Sequence, residues 1–138
     1  MPVYNTKEDI TAALERFNKR LHNAAYSFKV DNITSTYIAI QASFDFAYYV
    51  NVTIYFNNVI YTSLKERDSW PDAWHADQIF LLTDDEITSV LDWNEVEYTS
   101  TEGLFGLLFN IAGRQEYHTG VTVCKSLEIH WQHPAFED

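Results

Sequence analysis

The sequence has few of the residues that interrupt or cross-link a fold. Four glycines and three prolines among 138 residues leave little room for flexible linkers, so one globular domain is expected over residues 1–138. The single cysteine, Cys124, excludes a disulfide within the chain. The N-terminus lacks the apolar segment of a signal peptide, and no apolar run is long enough to cross a bilayer. These absences predict a cytoplasmic protein without a membrane partner.

Positive charge is absent from one long stretch of the chain. Between Asp68 and Gly113 there is no Lys or Arg, whereas the same stretch carries ten carboxylates and the tryptophans Trp70, Trp74 and Trp93. The formal net charge of the whole chain is −11. A surface of this sign repels phosphate backbones and attracts cations. The charge pattern therefore predicts no nucleic-acid partner, and it leaves either a solvated acidic surface or a surface that binds a basic protein.

The first part of the chain has the pattern of an amphipathic helix. Thr6 is placed to cap it, and Glu8 and Asp9 fall in the first turn, where the helix dipole favours carboxylates. Apolar residues then recur at helical spacing as far as Leu21. The helix is expected to end within residues 23–25.

From Tyr26 the apolar period changes to two. Alternation over residues 37–46 and 49–56 predicts two half-buried strands. Asn57 and Asn58 fit a two-residue hairpin turn, after which residues 59–64 would return beside the second strand. Three further segments have strand patterns, namely residues 96–100, 103–111 and 121–131.

The segments between these strands are less regular. Residues 65–77 break both periods and are expected to form the longest irregular connection, and residues 78–82 fit a return to the sheet. Thr83 and Glu86 fit a capping box for a short helix over residues 84–92, although the β-branched residues there leave a strand open. The predicted fold is α+β, with the N-terminal amphipathic helix packed on a mainly antiparallel sheet of about six strands.

No catalytic or cofactor-binding motif is present. His130 and His133 are three residues apart, which would put them on opposite faces of a strand, but His133 lies beside Pro134 just beyond the strand pattern and a site there stays open. There is no phosphate-binding glycine loop, and Cys124 lies inside an alternating strand pattern. The sequence thus predicts a protein that is not an enzyme and holds no cofactor or metal. A metal-dependent hydrolase is the least favoured alternative, and it would use some of His75, Asp77, His118, His130 and His133. A small-ligand domain with an aromatic pocket is the other alternative, and its lining candidates are Tyr37, Tyr49, Tyr55 and Phe105.

The acid-rich stretch begins with the strongest candidate for a binding surface. Large aromatic residues in an irregular acidic connection either cap the end of the sheet or meet a partner, because Trp is enriched at interface hot spots. The acids around them would speed encounter with a cationic partner. The predicted partner-binding residues are Asp68, Trp70, Asp72, Trp74, Asp77, Asp84, Asp85 and Glu86.

Three features together give the chain a familiar layout: the strand–turn–strand over residues 50–64, the loop with Trp70 and Trp74, and the closing strand pattern over residues 121–129. This layout resembles the small acidic immunity proteins of bacterial polymorphic-toxin systems. The resemblance implies a cytoplasmic, non-enzymatic inhibitor that plugs the active site of a basic toxin, such as a nuclease, with acidic and aromatic residues. It leaves open the identity of the partner and the oligomeric state, including a dimer through an uncovered edge strand.

Overall fold

The structure is a computed structural model that describes residues 3–24, 27–33, 37–43, 52–64, 69–71, 75–112 and 117–131. Its side chains are described over residues 3–17, 53–64, 79–108 and 120–130. Within this part of the chain there are two helices, α1 (Lys7–Ala24) and α2 (Asp84–Trp93). Neither of them combines the length and the apolarity that crossing a membrane requires.

Nine strands are present in the described ranges. They are β1 (Ser27–Ile33), β2 (Tyr37–Ser43), β3 (Val52–Asn57), β4 (Tyr61–Thr62), β5 (Ser69–Pro71), β6 (His75–Leu81), β7 (Phe105–Ala112), β8 (Tyr117–Cys124) and β9 (Ser126–Trp131). They form a five-stranded sheet in the order β5-β1-β2-β3-β9 and a four-stranded sheet in the order β4-β8-β7-β6. Every pairing is antiparallel. The α+β prediction is confirmed, with the strands divided between two sheets where about six strands in one sheet were expected.

Helix α1 forms where its sequence predicts it. The hydroxyl of Thr6 accepts a hydrogen bond from the Asp9 N–H at 3.2 Å and so caps the first turn. Ile10, Leu14 and Phe17 are buried on one side of the helix. Helix α1 packs mainly against β6, which places the four-stranded sheet beneath its apolar face.

The predicted hairpin over residues 50–64 is wrong, because the chain changes sheets at its turn. Asn58 does adopt a left-handed conformation, with φ of 54°, which Asn tolerates. Strand β3, however, already has β2 on one edge and β9 on the other. Strand β4 therefore finds no free edge beside β3, and it pairs with β8 in the other sheet. The turn is present and the pairing is not.

The segment predicted as one strand over residues 121–131 is split at Lys125, because the chain changes sheets there as well. Strand β8 ends at Cys124 in the four-stranded sheet, and β9 begins at Ser126 in the five-stranded sheet. The Lys125 N–H donates to the Asn57 carbonyl at 3.0 Å, so the two sheet changes lie side by side. The apolar residues on either side of Lys125 are in phase, so the pattern predicts one strand, although Lys125 itself falls at an apolar position.

Two other expectations need correction. The predicted irregular connection over residues 65–77 contains strand β5, where Trp70 pairs with Phe28, and it also contains the first residues of β6. Residues 96–100 form no strand, since they belong to the connection between α2 and β7. Strand β7 agrees closely with the pattern over residues 103–111, and β6 contains most of the predicted return over residues 78–82.

Helix α2 settles the open choice between helix and strand over residues 84–92. Its Ile87 and Leu91 are buried and form a core cluster with Leu104 and Val123. Gly106 in β7 lets the helix approach closely, since a Cβ at that position would lie 2.8 Å from the Ile87 Cγ1. The helix is therefore fixed against β7 by its apolar side, and its polar side faces solvent.

Candidate functional site

The N-terminus of α2 is held by a complete capping box. The Thr83 hydroxyl accepts from the Glu86 N–H at 3.3 Å, and the Thr83 N–H donates to Glu86 Oε1 at 2.9 Å. The hydrogen bond that the Thr83 N–H donates to the Glu86 carboxylate lowers the pKa of that carboxyl, and the Thr83 side chain adds a smaller effect in the same direction. Glu86 and the exposed Asp84 and Asp85 thus form an anionic first turn, which suits the positive end of the helix dipole.

The solvent side of α2 ends in an exposed tryptophan, at the opposite end of the helix from these acids. Trp93 is 87% exposed, far more than the other large apolar side chains in the described part of the chain. It lies opposite the buried Ile87 and Leu91 around the helix. We call the exposed residues on this side of the helix, together with Glu95 just beyond its end, the α2 surface, and it consists of Asp85, Glu86, Ser89, Asp92, Trp93 and Glu95.

The chain turns sharply after Trp93 and keeps its acids in solvent. Asn94 caps the helix end, with its side-chain amide donating to the Val90 carbonyl at 2.8 Å. Glu95 has φ of 57°, and the Val96 N–H then donates to the Leu91 carbonyl at 2.9 Å. This tight turn leaves Glu95 exposed next to the end of the helix. Residues 79–104 contain no Lys or Arg, whereas in space Lys7 lines a cavity together with Asp84 and Glu102.

A cleft of about 380 Å³ lies beside the connection that follows α2. We refer to it as the 97–104 cleft, and its lining residues are Ile60, Glu97, Tyr98, Thr99, Ser100, Glu102, Leu104 and Lys125. The Tyr98 hydroxyl donates to Asp92 Oδ1 at 3.1 Å. This hydrogen bond joins the cleft to the α2 surface, because Asp92 directly precedes Trp93.

With this geometry established, comparisons with known proteins add nothing. No protein-family model, curated protein or solved structure matches the chain. The resemblance to immunity proteins therefore rests on layout alone, and the structure alters that layout at the turn after β3 and at the β8–β9 junction.

Three of the eight predicted partner-binding residues have described side chains, and these three lie together. Asp84, Asp85 and Glu86 share the first turn of α2 and are exposed. Trp70 lies in β5 and Asp77 at a bulge in β6, both outside the described side chains. The other three predicted residues lie outside the described residues, namely Asp68, Asp72 and Trp74.

Trp93 is the residue that sequence reasoning missed. The exposure of Trp93 could be predicted from the sequence, since a helix starting at Thr83 places Trp93 on the side opposite Ile87 and Leu91. The signal was lost because residues 84–92 were left open between helix and strand. In a strand, Trp93 would share a face with Ile87 and Leu91 and would be assigned to the core.

Few residues of the alternative functions are among the described side chains. Within those side chains, no group of three or more His, Cys, Asp or Glu is placed so that it could hold a metal ion. His130 Nε2 lies 3.6 Å from Glu128 Oε1. The His130 ring packs edge-on against the Tyr55 ring, with a distance of 4.9 Å between the ring centroids. Phe105 lines a second cavity, of about 170 Å³. The remaining candidates have no described side chain or lie outside the described residues, namely Tyr37, Tyr49, His75, Asp77, His118 and His133.

Cys124 has the surroundings of an inert thiol. It is fully buried, and burial raises its pKa to about 12 against a weaker opposing hydrogen bond at the Ser126 backbone. Because the thiolate is the reactive form, we expect native Cys124 to react with a neutral thiol reagent at pH 8 on the order of 1000-fold more slowly than a free thiol. A timed reaction with a chromogenic disulfide, with and without denaturant, measures this ratio. Equal rates would contradict it.

The raised pKa of Cys124 in the folded protein, compared with its ordinary pKa in the unfolded chain, affects stability at alkaline pH. The folded pKa lies above the unfolded pKa, so the contribution of Cys124 is fully present below about pH 8.5 and is lost as the pH rises toward 12. Relative to Cys124→Ala, the wild-type free energy of unfolding should fall by up to about 1.4 kcal/mol per pH unit above pH 9. The alanine variant is the control for lysine and tyrosine titration.

Proposed function

We propose that this protein is a non-enzymatic, cytoplasmic protein-binding domain, an immunity-type inhibitor that neutralises a basic partner protein through the α2 surface. The observation that carries the proposal is the 87% exposure of Trp93. A bare indole on the polar side of a helix is unfavourable in water, and Trp is the residue type most typical of interface hot spots. The predicted interface, which contains Trp70 and Trp74 and ends at Glu86 in the first turn of α2, is thus extended to Trp93 in the last turn.

The charge around Trp93 determines the chemistry of the partner. Asp85, Asp92 and Glu95 are exposed carboxylates on the α2 surface, and residues 79–104 contain no cation. This arrangement is complementary to a cationic face and is unfavourable for nucleic acid or an anionic membrane. A basic protein, such as a toxin that itself binds nucleic acid, fits this surface.

The dimensions of the surface suit an aromatic anchor with an acidic rim. Asp85 and Trp93 are eight residues apart in the helix, which corresponds to about 12 Å along its axis. Acids at this distance lie outside the area that Trp93 would desolvate, so they remain hydrated. They would raise the association rate, while burial of the indole would slow dissociation.

The test begins with purification of the protein from its native cells and identification of the co-purifying protein by mass spectrometry. Binding is then measured with the two purified proteins. We expect a basic partner whose association rate falls steeply with NaCl concentration, and we expect Asp85→Asn combined with Glu95→Gln to lower that rate about tenfold at low salt.

A matched control separates the local effect from net charge. Glu8→Gln combined with Glu15→Gln removes the same charge from exposed positions of α1, and this variant should change the association rate much less. An acidic partner, an affinity independent of salt, or equal effects of the two double variants would each refute the proposal.

A further inference from the structure

We propose that the 97–104 cleft takes an arginine side chain of the basic partner, an inference that rests on the proposed function and specifies how the partner is recognised. The cleft is continuous with the α2 surface through the hydrogen bond between Tyr98 and Asp92. Its volume of about 380 Å³ lies within the range of pockets that hold small ligands. A partner lying on Trp93 would therefore have this cleft within reach of its neighbouring side chains.

The walls of the cleft match both parts of an arginine side chain. Ile60 and the buried Leu104 supply apolar surface for its methylene stem. Glu97 and Glu102 are exposed carboxylates that can accept from the guanidinium. Tyr98 adds an aromatic wall, on which a planar guanidinium stacks better than an ammonium does. The combination favours arginine over lysine.

The cleft is held in shape before any ligand arrives. The Leu104 N–H donates to the Thr101 carbonyl at 3.0 Å, and the Glu102 N–H donates to the Ser100 hydroxyl at the same distance. Tyr98 and Leu104 also pack within the core cluster beneath α2. Ordered walls lower the entropic cost of binding a flexible side chain.

Lys125 sets how many cations the cleft accepts. It lines the same cleft, and within the described part of the chain it makes no ion pair with Glu97 or Glu102. Both carboxylates thus remain for an incoming cation, while the ammonium can donate to a backbone carbonyl of the partner. The Lys125 charge opposes a second cation, so the cleft suits a single arginine.

The experiment uses small probes and does not need the partner. N-acetyl-arginine N-methylamide is titrated into the ¹⁵N-labelled protein, and the amide signals of Thr99, Ser100 and Leu104 are followed. We expect saturable shifts with a Kd on the order of 10 mM, as for a single side chain, and about threefold weaker binding of the lysine analogue. The citrulline analogue, which has no charge, should produce no saturable shift at these signals.

Variants of the protein identify the groups involved. Glu97→Gln combined with Glu102→Gln should weaken arginine binding about fivefold or more, whereas Glu8→Gln combined with Glu15→Gln, which removes the same charge from residues that do not line the cleft, should leave it unchanged. Lys125→Met removes the like charge and should strengthen binding about twofold. A purely structural role of Lys125 would not produce that gain.

The outcomes separate this inference from the proposed function. Equal shifts with arginine and citrulline, preferential binding of an N-acetyl-aspartate probe, or no saturable shift would overturn the cleft proposal, even if a basic partner binds through Trp93. Conversely, arginine binding in the cleft together with a partner that proves acidic would leave the cleft intact and refute the proposed function.

Discussion

Replacing Trp93 with alanine is expected to weaken binding of the basic partner about 30-fold or more, which corresponds to about 2 kcal/mol. The indole is the largest apolar group on the α2 surface, and an aromatic residue surrounded by polar groups is the usual form of a hot spot. The loss should appear mainly as faster dissociation, because the acids that guide association are unchanged. Surface plasmon resonance with the purified partner measures both rates.

The stability of the Trp93→Ala variant is the control for this prediction. A side chain that is 87% exposed makes few contacts within its own protein, so the free energy of unfolding should change by less than about 0.5 kcal/mol. Trp93→Phe should retain part of the affinity, since it keeps an apolar ring. An unchanged dissociation rate in Trp93→Ala would show that the partner does not contact this residue.

The starts of both helices carry local signals in the sequence, although over residues 84–92 the β-branched residues also allow a strand. Thr6 and Thr83 are both followed by acids in the first turn and by apolar residues at helical spacing. Both hydroxyls accept hydrogen bonds from backbone N–H groups in the structure. Such caps depend on neighbouring residues only, so no knowledge of the tertiary structure is needed to predict them.

The division into two sheets could not be predicted from the sequence, because strand pairing depends on residues that are far apart in the chain. Asn58 carries a turn signal that fits a hairpin equally well, and only the occupation of both edges of β3 forces β4 to pair elsewhere. Lys125 is a similar case, since its neighbours alternate without a break. Period and turn chemistry predict that a strand exists and leave its partner undetermined.

The candidate site shows the same limit. The anionic first turn of α2 was predicted residue by residue, because the acids follow a recognisable cap. Trp93 was not, because residues 84–92 also fit a strand, in which Trp93 would share a face with Ile87 and Leu91. The 97–104 cleft was also beyond prediction, since it joins Glu97 and Glu102 to Ile60 and Lys125, which are far apart in the chain.

Replacing Leu91 with alanine should lower the stability of the protein, whereas replacing Trp93, two residues further along the same helix, should lower its affinity for the partner. Leu91 is fully buried and packs with Ile87, Leu104 and Val123. Truncation of such a side chain removes its buried apolar surface and leaves a cavity, so the free energy of unfolding should fall by about 2–5 kcal/mol. Urea denaturation followed by tryptophan fluorescence or circular dichroism measures the loss.

Leu91→Met keeps the volume of the side chain and should cost less than about 1.5 kcal/mol, so it serves if the alanine variant does not fold. Folded Leu91→Met should bind the partner with unchanged affinity, since Leu91 faces the core. Trp93→Ala should bind weakly and unfold normally. A Leu91→Ala variant as stable as the wild type would mean that α2 is not fixed on β7 by this side chain, and the α2 surface would then lack the rigid support that a preformed interface requires.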